Sequence, residues 1–449
     1  GDFCFTLMET VIPSILPLKL QNLGAPSSLI GLLMTTIPHA MTVLVTPVVS
    51  YRSDRFRSRW GRRIPFLLIP TPFLTILLIL IGYSESIGQW LWRSGVGGSA
   101  LSATAVTLAV ISVLLVAFQF CNMFVQSIYY YLFNDVVPDA FLARFMALFR
   151  VVGTAAAALY NILIFPHAQT HMSEIFVGAA VLYFLGFTTM CLMVREGSYP
   201  PPPPNIGHRK GLLAAIKTYA VECFSHRFYW SFFLANMMWA LVGCASAFSV
   251  LFSLSLGLTL TQLGQIAGVS NVVSTLLLYP AGMLSDRVHP LRVAIFVAAV
   301  YVPLYSVQLL YLFFDFNTDT VLAIAIAHAA VSLPVAAMWN VAELPLYMKL
   351  LPRERYGQFA SANALVRSVA MIGGGVVAGV FLDVMRQAHG GSDFAYRYVP
   401  VWQVTFFALS LWFFLRLYRG WKARGGMHGY VPPPIGEAVG PHSAAVRTG

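Results

Sequence analysis

Twelve runs of about 20 mostly apolar residues follow one another along this 449-residue chain, separated by short stretches rich in Gly, Pro, Arg and Lys. That repetition confines the chain to a lipid bilayer, where backbone N–H and C=O groups must be satisfied within each span, so the runs are predicted helices. The segments fall at roughly 2–22, 28–50, 65–83, 103–133, 144–165, 173–194, 228–255, 262–284, 291–313, 319–348, 357–383 and 399–418. Hydrophobic residues make up 58% of the chain and charged residues 10%, against about a quarter charged in soluble domains. The expected fold is an all-α polytopic membrane protein with twelve transmembrane helices.

The net charge of +11 does not point to nucleic acid, because the basic residues lie in short loops rather than on a soluble basic face. Six arginines (52, 55, 57, 59, 62 and 63) stand between the second and third segments. If that loop is cytoplasmic, Arg195, Arg209, Lys210, Arg287, Arg292, Lys349, Arg353 and Arg355 share its side, and only Lys19, Arg93, Arg386 and Arg397 lie opposite. The positive-inside bias then puts both termini in the cytoplasm, with the plasma (inner) membrane as the expected location. The chain opens without Met, already inside an apolar run, so the first helix is expected to be truncated. Five cysteines without paired spacing suggest packing residues, and neither a metal nor a cofactor is expected.

The chain repeats itself. Leu23-Gly24 and Gly31 match Leu256-Gly257 and Gly264, Ser53-Asp54-Arg55 matches Ser285-Asp286-Arg287, and Pro138 with Phe145 matches Pro352 with Phe359. Two pseudo-symmetric six-helix bundles follow: residues 1–194 and 228–419, joined by a cytoplasmic linker (195–227) and followed by a disordered tail (420–449). The linker holds the polyproline run Pro200 to Pro204 and an amphipathic stretch with Leu212, Leu213 and Ile216. This architecture resembles the major facilitator superfamily.

Within that superfamily, Arg57-Ser58-Arg59-Trp60-Gly61-Arg62-Arg63-Ile64-Pro65-Phe66 resembles the glycoside–pentoside–hexuronide:cation symporters, the branch that contains the melibiose carriers. Pro47 through Arg55 is similar to the proton-coupled sucrose transporters. The resemblance implies a sugar-accepting carboxylate in the first helix, where Asp2-Phe3 stands, and basic residues in the fifth and eleventh, matched by Arg150 and Arg367. Gln126 replaces the branch's second sugar-binding Asp, and Thr42 and Thr46 stand where its sodium-holding carboxylates would be. A sodium site there would lack charge compensation, so proton coupling or no coupling is expected in place of sodium, with a proton as the coupling ion of a symporter.

Ionisable residues within a span are costly and call for a partner, a wet cavity or a function. Asp2 and Glu9 share one helical face, with Arg150 as the preferred partner of either. Asn122 and Gln126 form an amide stripe in the fourth segment; Asn236 and Trp239 in the seventh, and Trp339, Asn340 and Glu343 in the tenth, face the same central space. Amides bond hydroxyls and aromatic rings cover sugar C–H faces, so Asp2, Asn122, Gln126, Arg150, Asn236, Trp239, Trp339 and Asn340 are the expected substrate-binding set. Glu9, His39, Glu343 and Arg367 are the expected ion-coupling set; Asp54, Arg55, Gly61, Arg62, Arg63, Asp286 and Arg287 the expected cytoplasmic gate. No catalytic motif is present, and the chain reads as a monomeric secondary transporter of a small polar solute, a sugar or glycoside, rather than an enzyme. A transporter of an organic anion or amphiphile, and a non-transporting receptor or assembly factor, stand as alternatives.

Overall fold

The computed structural model describes residues 1–95, 101–137, 139–196, 221–352 and 355–433. Twelve of its helices are long and apolar enough to cross a membrane: α1 Asp2–Asn22, α2 Ser27–Thr46, α3 Ile64–Gly82, α4 Ala103–Tyr129, α5 Leu148–His167, α6 Met172–Met193, α7 Arg227–Ser255, α8 Leu260–Leu284, α9 Pro290–Leu312, α10 Thr318–Leu350, α11 Tyr356–Ala388 and α12 Asp393–Lys422. The chain is an all-helical, multi-pass membrane protein. Among the described residues there is no strand.

The halves repeat in packing as they do in sequence. In the first, α1 packs on α5 and α6, α3 on α4 and α6, and α2 on α4; in the second, α7 packs on α11 and α12, α9 on α10 and α12, and α8 on α10. Each pair recurs six helices later. Leucine, isoleucine and phenylalanine of α1, α3, α4 and α6 fill one core, and Phe232, Phe233, Val297, Phe414 and Trp421 belong to a second.

Because the helices alternate in direction, the arginine-rich loop marks the end at which every odd-numbered helix begins. The opposite end is where the halves meet. Helix α2 leans on α11, where a Cβ built on Gly31 would run into the carbonyl oxygen of Gly375, and one on Gly379 into that of Ser27. Thr36 Oγ1 donates to the Ile372 carbonyl at 2.6 Å. Helix α5 leans on α8 in the same way, with Gly264 against the Asn161 carbonyl and Thr154 bonded to Thr275 at 2.9 Å. Each seam contains a π-helical turn, Leu32–Thr36 in α2 and Tyr160–Ile164 in α5, the kind of local widening that recurs at working parts of helices.

Several boundaries differ from the sequence expectation. Helix continues past α2 to Arg55, and α5 is preceded by helix from Asp139, because the polar residues there extend into the aqueous layer. A further helix, Ser84–Arg93, packs on α4, where Gly88 lets it approach Thr107 closely. The described part of the tail expected to be disordered from 420 packs on the bundle: Trp421 is buried, Gly425 turns the chain at φ +96°, Tyr430 Oη donates to the Leu350 carbonyl at 2.8 Å and Tyr229 Oη to the Pro433 carbonyl at 3.1 Å. Two aromatic anchors overcame the Gly- and Pro-rich composition. The polyproline run with Leu212, Leu213 and Ile216, and residues 434–449, lie outside the described residues.

Candidate functional site

Two clusters of polar side chains form within the spans, one in each half. In the first half, Glu9 of α1 accepts from Asn122 Nδ2 at 2.8 Å and from Gln126 Nε2 at 2.5 Å, one amide on each carboxylate oxygen. Asn122 and Gln126 are four apart on α4, so one helical turn presents both amides to the same group. Asn122 is buried, and its Oδ1 has no hydrogen-bond partner among the described residues. An amide can serve either state of a carboxyl: its NH₂ donates to a carboxylate, and after a flip its oxygen accepts from a carboxylic acid.

In the second half, Arg367 of α11 meets Glu343 of α10 at 2.7 Å. Tyr347, one turn beyond Glu343, completes the cluster: its Oη accepts from Arg367 at 3.0 Å and lies 2.9 Å from Glu343 Oε1 and 3.2 Å from Asn236 Oδ1. Asn236 is buried and donates to the Phe232 carbonyl at 2.9 Å. A charged pair held by a hydroxyl keeps its attraction while part of it remains open to the cavity.

Two cavities open among these spans, and Tyr347 and Arg367 of the second cluster line the first of them. One of about 760 Å³ is lined by Trp239, Tyr301, Tyr347, Asn363 and Arg367 from the second half and by His39 from α2. Trp239 stacks on Trp339 with ring centroids 4.0 Å apart, but Trp339 is buried behind it and supports the wall rather than lining it. The second cavity, about 640 Å³, is lined by Asp2, Arg150, Thr154, Asn271, Thr275 and Asn340. Gly153 lets α5 approach α1 here, 3.2 Å from a Cβ position to Asp2 Oδ2.

The preferred pairing of Arg150 with Asp2 or Glu9 is not made. Glu9 is held by the amides, Asp2 Oδ2 has no hydrogen-bond partner among the described residues, and Arg150 is exposed to the cavity. Helical phase brought Arg150 and Asp2 to one cavity without bringing them into contact. His39 Nδ1 lies 2.8 Å from its own helix's Thr35 carbonyl. Thr42 donates to the Pro38 carbonyl and to Met123 Sδ, and Ser127 donates to Thr46, so both threonines hold α2 to α4.

Of the expected gate, the side chains of Asp54, Arg55 and Asp286 lie outside the described residues, and Arg287 is exposed. The rest of the arginine loop is fixed by a residue that sequence reasoning missed. Glu196, just past α6, accepts from the backbone N–H groups of Arg62 and Arg63 at 2.8 Å and of Ile64 at 2.7 Å, capping α3. Gly61, at φ +102°, is the residue that lets this carboxylate approach, and Arg63 donates to Ser53. Asp383 was missed as well: its two oxygens accept from Ser27 N at 2.6 Å and Ser28 N at 2.8 Å, so an α11 carboxylate caps α2 across the seam. An acidic residue near a helix end was the available signal for both, but its target lies far away in sequence.

A model of the Major Facilitator Superfamily matches residues 1–375. Among curated relatives, the sucrose transport protein SUT5 of Oryza sativa subsp. indica is 39% identical over 71 residues, and SUC3 of Arabidopsis thaliana 35% over 72 residues. Each match covers 16% of this chain, with only 13% of SUT5 and 12% of SUC3 spanned. Among solved structures, a bacterial homolog of the human lysosomal transporter Spinster in an inward-facing, unoccupied conformation has a TM-score of 0.66 at 14% identity, covering 93% of this chain and 95% of that one. The nucleoside transporter NupG gives 0.59 at 13% identity, covering 93% and 97%, and a D-xylose-proton symporter 0.59 at 12%, covering 90% and 94%. At such identities the likeness is one of fold.

Proposed function

This chain belongs to the major facilitator superfamily and is a transporter rather than an enzyme, and from that premise we propose that it carries a small polyhydroxylated solute, a sugar or glycoside, in symport with a proton. The observation that carries the proposal is the pairing of a cavity walled by Trp239 and Tyr301 with hydrogen-bonding groups from Asn363, Tyr347 and Arg367. Aromatic faces cover the C–H surface of a sugar ring, and the amide, phenol and guanidinium bond its hydroxyls. The partial similarity to sucrose transport proteins supports the same solute class.

Glu9 is the proposed proton carrier. It faces two neutral amides that can satisfy it with or without a proton, so loading it changes charge without breaking the cluster. Glu343 and Arg367 form the second coupling element, a pair that a bound solute would compete for. Transport follows by rocking of the two halves about the cavities, with the α2–α11 and α5–α8 seams closed in this state and the arginine-loop end open. By the positive-inside rule we assign that end and both termini to the cytoplasm, and the protein to the plasma (inner) membrane, acting as a monomer.

A second reading has its own observation. Arg150 lines the other cavity and makes no ion pair among the described residues, which favours an acidic sugar or another organic anion. Uptake into proteoliposomes separates the two: a panel of neutral sugars, uronic acids and other organic acids is offered under proton and sodium gradients imposed separately. Proton-driven uptake of a neutral sugar is expected. Flux of organic anions alone would transfer the proposal to the second reading, and flux of none of them would end both.

A further inference from the structure

Beyond the transport pathway, a third cavity of about 390 Å³ opens at the arginine-loop end between α3 and α6, lined by Arg59, Trp60, Leu192, Val194, Arg195 and Glu196 among others. It is a built site. Ser58 and Gly61 close a tight turn, with Gly61 N donating to the Ser58 carbonyl at 3.1 Å and Ser58 Oγ to the Gly61 carbonyl at 2.7 Å, which leaves Arg59 and Trp60 at the tip. The Arg59 guanidinium carbon lies 5.8 Å from the Trp60 ring centroid. On the other wall, Glu196 is fixed by three backbone amides of the α3 N-terminus, and this holds its neighbour Arg195 at the rim.

Among the described residues the charge lining this cavity is unbalanced. The one carboxylate among them, Glu196, already compensates the positive end of α3, while Arg59 and Arg195 are exposed and make no ion pair among the described residues. Its inner side is apolar and continuous with the outer surface of α6, where Leu192 and Met193 are exposed on a membrane helix and therefore face lipid. Trp60, 40% exposed at the same level, is the residue type that settles at the headgroup layer. A phosphate between two arginines with acyl chains running down an apolar helix face fits all of these features. We propose that this cavity binds the phosphate headgroup of an anionic membrane lipid.

The test uses the full chain in nanodiscs of equimolar phosphatidylglycerol and phosphatidylcholine, with the lipid retained after extraction into detergent measured by mass spectrometry. The protein is expected to retain phosphatidylglycerol preferentially, and Arg59→Gln and Arg195→Gln each to lower that retention about fivefold. Arg416→Gln with Lys422→Gln, which removes charge elsewhere, should leave it unchanged, and Arg59→Lys with Arg195→Lys should preserve most of it, separating loss of charge from loss of fold. Equal retention by the glutamine variants and the unaltered chain would overturn the proposal. So would displacement of the lipid by inorganic phosphate, since the cavity would then be a site for free anions.

Discussion

A glutamine at position 9 keeps the shape of Glu9 and, with one amide flip, its contacts to Asn122 and Gln126, but it cannot take up a proton. Glu9→Gln is therefore expected to exchange solute across the membrane while losing proton-driven accumulation, which for one coupled proton is about tenfold per unit of pH gradient. Counterflow and gradient-driven uptake measured on the same proteoliposomes check this, and unchanged accumulation would remove Glu9 from the coupling role. His289 gives a residue-scale prediction about stability. It lies between α8 and α9, accepts from Leu291 N at 3.2 Å, and rests against Trp421 at 4.5 Å between ring centroids. Burial, with Lys349 and Arg292 nearby, pushes its pKa down from 6.5 to about 4. The folded chain thus holds this imidazole neutral where the unfolded chain would protonate it. Its contribution to stability is complete above about pH 6.5 and is lost as pH falls from there toward 4. The thermal midpoint should fall over that window, and His289→Asn, which can still cap the helix but does not titrate, should flatten this part of the profile.

At the scale of elements, the spans were legible because periodicity and length are local properties of a bilayer helix, and the duplicated Leu-Gly and Asp-Arg marks disclosed the two halves. What joins the halves was not legible. The α2–α11 seam depends on Gly31, Gly375 and Gly379 bringing backbones together and on Asp383 reaching the first turn of α2, contacts between residues more than three hundred positions apart. The same holds at the site. Glu9, Asn122, Gln126, Glu343 and Arg367 could each be picked out as polar residues in apolar runs, yet the sequence offered Arg150 for Glu9, and Tyr347 passed as one aromatic among many. Asp383→Asn leaves one oxygen to accept and removes the charge, a loss of about 1 kcal/mol at a helix cap, so the seam should open roughly fivefold more often. Thr36→Cys reports it, because that side chain lies inside the closed seam at 2.6 Å from the Ile372 carbonyl. Labelling of this cysteine by an impermeant maleimide from the side opposite the arginine loops should quicken when Asp383→Asn or Gly31→Val is added. An unchanged rate would mean that neither contact holds the seam.

For the whole molecule, the coupling ion is decided by which charges the rocking halves enclose. A sodium ion needs several oxygen ligands with anionic charge among them, held at fixed geometry. Helix α2, where the resembled branch keeps its sodium carboxylates, offers here only hydroxyls, and these are engaged: Thr42 donates to the Pro38 carbonyl and Thr46 accepts from Ser127. Both oxygens of Glu9 are already engaged by amide N–H groups, and Glu343 already neutralises Arg367. A proton needs none of that cage. It requires one carboxyl whose neighbours tolerate both states, the role proposed for the Glu9 cluster. A proton gradient alone should therefore drive accumulation and a sodium gradient alone should not. Restoring carboxylates with Thr42→Asp and Thr46→Asp should not create sodium coupling unless the hydroxyl bonds of α2 to α4 are rearranged at the same time. Uptake stimulated by sodium in the unaltered chain, at equal pH on both sides, would show that the ion finds ligands elsewhere between the halves, and would move the coupling site away from α1 and α4.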